Sequence, residues 1–143
     1  MDPRIYFELD IAAPPREVWN VLTDAGQIPR WWEGVHAVSL TQPKPGGIYS
    51  LDYGKGDPDR CEILESEPGK LLRYKWTSNE PEPTIVEYRL EVADGGTRLC
   101  FTNAGLKTGP RWDKFYHANF TGWLEMMLGV RRMLESAHRN EEA

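Results

Sequence analysis

Residues 110–138 decide the fold, and they read PRWDKFYHANFTGWLEMMLGVRRMLESAH. This is the only segment of the chain long enough for a major helix, and its apolar residues recur at steps of three and four. These residues form one stripe: Trp112, Tyr116, Phe120, Trp123, Met127, Val130 and Leu134. Pro110 suits the first turn of a helix, because the N–H that proline lacks has no partner there. The spacing therefore predicts a long amphipathic helix with one face on a sheet.

Two glycines, Gly122 and Gly129, lie inside this predicted helix. Each costs about 1 kcal/mol relative to alanine in a helix interior. We therefore expect a compensation, of which close approach of the helix to a sheet or a ligand is the simplest. Replacement of Gly122 with leucine is accordingly expected to destabilise the protein by overpacking.

Upstream of the helix, the hydrophobic period is two. Residues 4–12 alternate and predict a half-buried first strand. Two short helices are expected next, one opened by Pro15 and one over residues 25–32. Residues 35–103 then alternate, broken by proline and glycine clusters that mark turns. The chain therefore predicts an α+β fold, in which an antiparallel sheet of about seven strands is covered by the long helix.

Length and charge exclude several classes of function. The chain has 143 residues and a net charge of −5, which fits one domain over residues 1–143. It has no basic patch, so nucleic acid and anionic membrane surfaces are not expected partners. No apolar run approaches the ~18 residues of a membrane span. The first ten residues lack the features of a signal peptide, and Cys61 and Cys100 fit free thiols in a cytoplasmic protein.

No motif for catalysis or metal binding stands out. The three histidines are far apart in the sequence, and none has a partner at the spacing of metal ligands. The glycine pairs at 46–47 and 95–96 lack the strand-to-helix context of a phosphate loop, so they are predicted to be turns. We therefore predict no catalytic residue, no metal site and no cofactor.

Aromatic residues are the stronger signal for function. For any single one of them a plain core role is the simpler interpretation, but this number of phenols needs buried partners or water, and few aliphatic side chains face them. Together they indicate a semi-polar pocket between the sheet and the long helix. The predicted ligand-binding residues are Trp32, Tyr49, Tyr53, Tyr74, Trp76, Tyr88, Trp112, Tyr116, Asn119, Phe120, Trp123 and Met127. Asn103 is a further polar candidate at the rim of this pocket.

The adjacent pair Trp31 and Trp32 is a separate feature. Neighbouring side chains of one helix or strand do not both face the same side, so the two indoles are expected to have different roles. We expect one of them to anchor the short helix in the core and the other to line the mouth of the pocket.

Four stretches of the chain carry a family resemblance. They are residues 15–19 (PREVW) with 30–32 (RWW), 45–49 (PGGIY), 72–76 (LRYKW), and 96–99 (GTRL) with 120–123 (FTGW). In these stretches the chain resembles the START/Bet v 1-like superfamily, and more narrowly bacterial proteins related to the activators of Hsp90 ATPase. The resemblance implies a helix-grip fold, in which a curved sheet wraps around the C-terminal helix and leaves a cavity between them.

The resemblance leaves three functions open, because members of this superfamily share no catalytic set. One is binding of a small apolar or aromatic molecule. Another is a polyketide cyclase or dehydratase activity, in which pocket tyrosines act as general acids. The third is a co-chaperone role toward an Hsp90-type protein. The first is favoured, because no acid–base pair stands out. The ligand and the oligomeric state are left open, with a homodimer as one option.

Overall fold

The computed structural model describes residues 3–78 and 81–142, with side chains described as far as residue 139. The elements follow in the order β1 (Ile5–Ile11), α1 (Pro15–Thr23), a 3₁₀ turn (Ile28–Arg30), β2 (Ala37–Leu40), β3 (Ile48–Asp52), β4 (Asp59–Glu67), β5 (Leu71–Trp76), β6 (Thr84–Ala93), β7 (Gly96–Ala104) and α2 (Pro110–Glu142). The strands form one antiparallel sheet in the order β1-β7-β6-β5-β4-β3-β2. The predicted α+β helix-grip fold is confirmed. Of the two short helices, the second is a single 3₁₀ turn.

Alternation along the strands places one row of side chains on the inner face of the sheet. Tyr74 on β5 lies opposite Val86 on β6, and Val86 lies opposite Asn103 on β7. In the next row, Tyr88 lies opposite Phe101. All five of these side chains are buried. Because the strand period is two, one register fixes which residues of every neighbouring strand face α2.

Helix α1 is fastened to the rest of the molecule at its C-terminal end. The Trp31 indole N–H donates to the Val21 carbonyl at 2.7 Å, and the Tyr49 hydroxyl donates to the Thr23 carbonyl at 2.7 Å. The last carbonyls of a helix have no partner within the helix, so both bonds satisfy groups that would otherwise need water. Trp31 therefore has the anchoring role expected of one indole of the pair, and both Trp31 and Trp32 are buried.

The two glycines of α2 do not mark a close approach to the sheet, so the prediction is wrong in that respect, and an approach to a ligand stays a prediction. A Cβ at Gly122 would meet nothing within 4 Å, and one at Gly129 would meet only the Arg132 side chain, at 3.9 Å. The buried face of α2 is formed by other residues, among them Trp123 and Met127, and the glycines lie at its flank. Overpacking by leucine at position 122 is therefore no longer expected.

Gly122→Ala is expected to raise the free energy of unfolding by about 0.5–1 kcal/mol. Alanine has the higher helix propensity and restricts the unfolded chain, and there is room for its methyl group. Thermal and urea unfolding measure the change, and Gly129→Ala serves as the matched variant with the same expected sign. A lower melting temperature for Gly122→Ala would mean that this flank is in close contact with another group.

Candidate functional site

Three tryptophans meet between the inner face of the sheet and α2. The ring centroids of Trp32 and Trp123 are 5.1 Å apart, those of Trp32 and Trp76 are 5.6 Å apart, and those of Trp76 and Trp123 are 6.1 Å apart. Their planes cross at 70–85°, which is the edge-to-face arrangement that aromatic rings favour. We call these three residues the tryptophan cluster.

Each member of the tryptophan cluster comes from a different part of the fold. Trp32 follows the 3₁₀ turn, Trp76 ends β5, and Trp123 lies on α2. The backbone of α2 comes close to β1 and α1, whereas among the described residues it does not approach the central strands as closely. The space between α2 and the strands from β3 to β6 is therefore bridged by large side chains.

The buried phenols of the predicted site have partners inside the protein. The hydroxyls of Tyr74 and Tyr88 are 2.8 Å apart and share a hydrogen bond. Burial raises the pKa of both groups well above the ordinary value, and burial likewise raises the pKa of Tyr49, whose hydroxyl bonds to the backbone of α1. Tyr53 is half-buried, and burial together with the Asp59 carboxylate raises its pKa. These phenols are neutral at physiological pH.

The raised pKa of the buried phenols predicts a loss of stability at alkaline pH. A tyrosine ionises near pH 10 in the unfolded chain, and Tyr74 and Tyr88 hold their protons to a higher pH in the folded protein. Their contribution is therefore fully present below about pH 10 and is lost as the pH rises through the folded pKa values. Phenolate absorbance and circular dichroism, followed together, should show these groups ionising as the protein unfolds.

A double variant, Tyr74→Phe with Tyr88→Phe, provides the control for this pH dependence. It removes both hydroxyls and leaves no unpaired partner, so its stability should fall less steeply above about pH 10. An equal slope in the double variant would contradict the assignment of alkaline unfolding to this pair.

Two buried side-chain atoms lack a hydrogen-bond partner within the described part of the chain. They are the indole Nε1 of Trp76 and the amide Oδ1 of Asn103. Asn103 is fully buried on β7, and its Nδ2 donates to the Ile85 carbonyl at 3.0 Å. Because a carbonyl only accepts, this bond fixes the amide orientation and leaves the oxygen unpaired. An unpaired buried polar atom costs about 1–3 kcal/mol, so a bound molecule that pairs with it gains that much.

The empty space in this interior is small. The centre of a water-sized sphere can occupy about 10 Å³ beside Trp32, which is room for about one water. Its lining is apolar and aromatic: Leu22, Ile28, Trp32, Tyr49, Leu51, Cys61, Tyr74 and Tyr88. The cavity that the family resemblance implies is thus nearly closed here. A ligand would have to displace the tryptophan cluster or rotate its rings.

Four predicted residues lie apart from the tryptophan cluster, on the first half of α2: Trp112, Tyr116, Asn119 and Phe120. Tyr116 is 36% exposed and stacks on Phe120, with ring centroids 5.9 Å apart. Phe120 in turn meets Phe7 of β1 edge-on at 6.1 Å. Trp112 is buried at the start of α2 and packs on Phe115 at 5.4 Å. These four residues form a second group, which we call the outer group.

Met127 and the outer-group residue Asn119 behave as parts of the core and of the helix, respectively. Met127 is fully buried on α2. Asn119 uses its Nδ2 to donate to the Phe115 carbonyl of its own helix at 3.0 Å. Asn103 was expected at the rim of the pocket, but the structure places it in the interior. Its side-chain oxygen is unpaired and can accept a hydrogen bond from a ligand, whereas the Asn119 amide already donates within its own helix. The strand alternation predicts which face of the sheet the Asn103 side chain is on. How deeply that side chain is buried depends on the tertiary packing over the sheet, which the alternation does not contain.

Phe101 is a contact residue that the predicted set omits. It lies opposite Tyr88 in the β6–β7 pair, and its ring is 4.7 Å from that of Trp123 and 4.9 Å from that of Phe7. Rings therefore connect the tryptophan cluster to the outer group through Phe101 and Phe7. The period-two pattern of β7 puts Phe101 on the inner face of the sheet. That pattern alone would have justified including Phe101 among the predicted ligand-binding residues.

Another concave surface of the described residues lies elsewhere. It is an open groove of about 740 Å³ at the end of the sheet, lined by Ala12, Ala13, Pro14, Pro15, Val92, Ala93, Gly95, Gly96, Glu135, His138 and Arg139. The Glu135 carboxylate accepts the Ala12 N–H at 3.0 Å, and His138 Nε2 lies 2.9 Å from the Glu17 carboxylate. These two contacts connect the end of α2 to the residue after β1 and to α1. Because the groove is open and has no aromatic lining, we place the candidate site in the interior.

The two cysteine thiols lie in the interior of the protein. Cys61 and Cys100 are both free and buried, and burial raises the pKa of each thiol. Within residues 3–78 and 81–142, no group of three or more His, Cys, Asp or Glu side chains could hold a metal ion. Of the helices that the structure describes, none has the length and apolar character needed to cross a membrane.

The fold and its interior define a helix-grip protein, and comparison with known proteins gives its family. The chain belongs to the family described as activator of Hsp90 ATPase homolog 1-like protein, whose family model matches residues 12–134. The predicted family is thereby confirmed.

The relatives described next are distant from this chain in sequence. An uncharacterized protein of Mycobacterium tuberculosis is 27% identical over 94% of this chain and 82% of its own length. The Aha1 protein of Colwellia psychrerythraea, solved as a dimer, is 20% identical, with a TM-score of 0.80 over 93% of this chain and 96% of that one. DynU16, a protein of the dynemicin biosynthetic locus, is 24% identical, with a TM-score of 0.75 over 96% of this chain and 49% of that one. At these identities the two solved structures show the shared fold.

Proposed function

We propose that the protein binds a small apolar or aromatic molecule between the inner face of the sheet and α2. The observation that carries this proposal is the tryptophan cluster, in which rings from three elements fill the gap that the backbone of α2 leaves above the central strands. A flat apolar ligand can replace ring–ring contacts there with contacts of the same kind. Room for it comes from rotation of indoles rather than from separation of the sheet and helix.

The proposed site has an inner and an outer part. The inner part consists of Trp32, Tyr49, Tyr53, Tyr74, Trp76, Tyr88, Trp123 and Met127. The outer group extends it along α2, because the Phe7 and Phe101 rings connect Phe120 to Trp123. The half-exposed Tyr116 lies at the solvent side of this path, which makes it the proposed point of entry.

The cyclase alternative is less well supported. A general acid works best when its pKa is close to the working pH, and burial moves the pKa of Tyr74 and Tyr88 in the opposite direction. Their hydroxyls also bond to each other, so one of the two phenolic protons is already donated within the pair. The occurrence of DynU16 in a biosynthetic locus concerns that protein and adds no residue with an acid–base role here. A co-chaperone role rests on the family description and on no feature of this site.

Tryptophan fluorescence tests ligand binding directly. Titration with naphthalene derivatives of increasing size should change the emission saturably, because Trp32, Trp76 and Trp123 lie in the proposed site. Trp76→Ala should weaken the binding by about tenfold or more, since it removes a large contact area. Tyr6→Ala is the control, because Tyr6 lies on the outer face of the sheet and is 44% exposed. The absence of any saturable change across the series would refute the proposed function.

Two further expectations are carried forward as proposals. We propose a homodimer as the assembly, by comparison with the Colwellia psychrerythraea protein, whose solution structure is that of a dimer. Light scattering after size-exclusion chromatography gives the mass in solution, and a monomer mass of 16.4 kDa at all concentrations would refute the homodimer.

A cytoplasmic location is likewise proposed, and cell fractionation tests it.

A further inference from the structure

Two buried side-chain atoms of this interior have no hydrogen-bond partner within the described part of the chain, and one is a donor and the other an acceptor. Trp76 Nε1 is a donor, and Asn103 Oδ1 is an acceptor. Other polar side chains of this interior have partners, such as the Trp31 indole on the Val21 carbonyl and the Tyr74 hydroxyl on Tyr88. The two exceptions therefore differ from the general pattern, in which buried polar groups are paired.

Both unpaired atoms belong to residues on the inner face of the sheet. Trp76 lies opposite Thr84 on β6, and Asn103 lies opposite Val86 on the same strand. The two residues are thus two strands apart and one inner-face row apart. Standard strand dimensions put their Cα atoms roughly 12 Å from each other. Two side chains and a small polar molecule can span that distance.

The neighbouring side chains restrict the charge of such a molecule. Among described residues, the buried polar or charged side chains are Thr84, Thr97 and Asn103, all of them neutral. A charged ligand would therefore lose its hydration without meeting an opposite charge. A neutral molecule that offers both a donor and an acceptor fits the two unpaired atoms.

We infer that the ligand is a neutral hydroxylated aromatic molecule, whose hydroxyl group donates to Asn103 Oδ1 and which accepts a hydrogen bond from Trp76 Nε1. This inference rests on the proposed function, which requires only an apolar or aromatic ligand. The inference adds that the ligand has a hydroxyl group, and that Asn103 and Trp76 recognise this group. Discrimination comes from Asn103, because a ligand without a donor leaves the buried amide oxygen unpaired.

The test compares β-naphthol with its methyl ether. The two have the same rings and both accept a hydrogen bond, but only β-naphthol donates one. The unaltered protein should bind β-naphthol about tenfold more tightly than the ether, since one buried acceptor stays unpaired with the ether. In nitrogen-15 spectra, β-naphthol should move the indole signal of Trp76, assigned with Trp76→Phe, and leave that of Trp31 in place, because Trp31 is already bonded to Val21.

Two matched variants separate the roles of the two atoms. Asn103→Leu should abolish the preference for β-naphthol and bring the ratio of the two dissociation constants close to one. Trp76→Phe removes the N–H but keeps an aromatic ring, so it should weaken both ligands by a similar factor and keep the preference. If Asn103→Leu does not fold, the affinities of the two ligands for the unaltered protein still show whether the site prefers a ligand that donates a hydrogen bond.

Each outcome has a separate meaning. Saturable binding of both ligands with equal affinity overturns the inference and leaves the proposed function standing. A preference for β-naphthol that survives in a folded Asn103→Leu variant overturns the role of Asn103. The absence of saturable binding by either ligand overturns the inference together with the proposed function.

Discussion

Trp123→Ala is expected to lower the free energy of unfolding by about 3–5 kcal/mol, the range for large aromatic truncations in a packed core. Trp123 is 1% exposed, and its ring contacts those of Trp32, Trp76, Tyr88 and Phe101 at centroid distances of 4.7–6.3 Å. No other described ring joins α2 to as many strands. Its loss would leave a cavity between the helix and the sheet, and urea unfolding with linear extrapolation measures the effect.

Trp123→Phe is the matched control for this truncation. It keeps an aromatic ring in contact with the cluster, so it should cost clearly less than the alanine variant. Indole added to Trp123→Ala should recover part of the lost melting temperature, because a molecule that binds only the folded state stabilises it. A loss below about 1 kcal/mol for Trp123→Ala, within the range of surface substitutions, would mean that water already fills this space. The interior would then be a solvated pocket rather than a packed cluster.

Local periodicity was sufficient to predict the fold and part of the site. The steps of three and four on α2 identified Trp123 and Met127 as buried, and the alternation on β5 and β6 placed Tyr74 and Tyr88 on the inner face. These properties depend on the direction of a side chain from its own element. They follow from the helical and strand periods alone.

The partners of these side chains depend on tertiary geometry, which the pattern does not contain. The Tyr49 hydroxyl meets the carbonyl of Thr23, which is 26 positions away and at the end of a different element. For Tyr49, Tyr74 and Tyr88, the predicted need for water or ligand is therefore met by the protein itself. The polar atoms left for a ligand are on Trp76 and Asn103, and only a full account of hydrogen bonds could identify them.

Glycines give a second example of what the sequence pattern does not contain, namely the tertiary surroundings of the backbone. The pair at 95–96 was correctly predicted as a turn, and Gly95 has the positive φ, at 79°, that such a turn uses. Gly96 is needed for another reason, because a Cβ there would overlap the carbonyl oxygen of Ile11 at the end of β1. Gly122 on α2 has neither requirement, since a Cβ there would meet nothing. Sequence alone does not distinguish a glycine that faces a backbone from one that faces open space.

Gly96→Ala is therefore expected to destabilise the protein by about 3 kcal/mol or more, at the upper end of overpacking effects. The overlapping atom is a backbone oxygen, which cannot rotate away as a side chain can. The turn after β1 is also held in place, because Thr97 Oγ1 donates to the Ala13 carbonyl at 2.7 Å and the Ala12 N–H donates to Glu135 at 3.0 Å. Moving this turn would break these bonds, which connect β1, β7 and α2.

Gly95→Ala is the control that separates overlap from backbone strain. A Cβ at Gly95 would meet nothing within 4 Å, so the variant has only the cost of a left-handed conformation, about 1–2 kcal/mol. Both variants replace a glycine with alanine in the same hairpin turn, so their difference reports the contact with Ile11. Urea unfolding of the two proteins should give a clearly larger loss for Gly96→Ala. Equal losses would show that β1 and the β6–β7 turn can separate at little cost, and that the open groove beside them is flexible enough to admit a side chain.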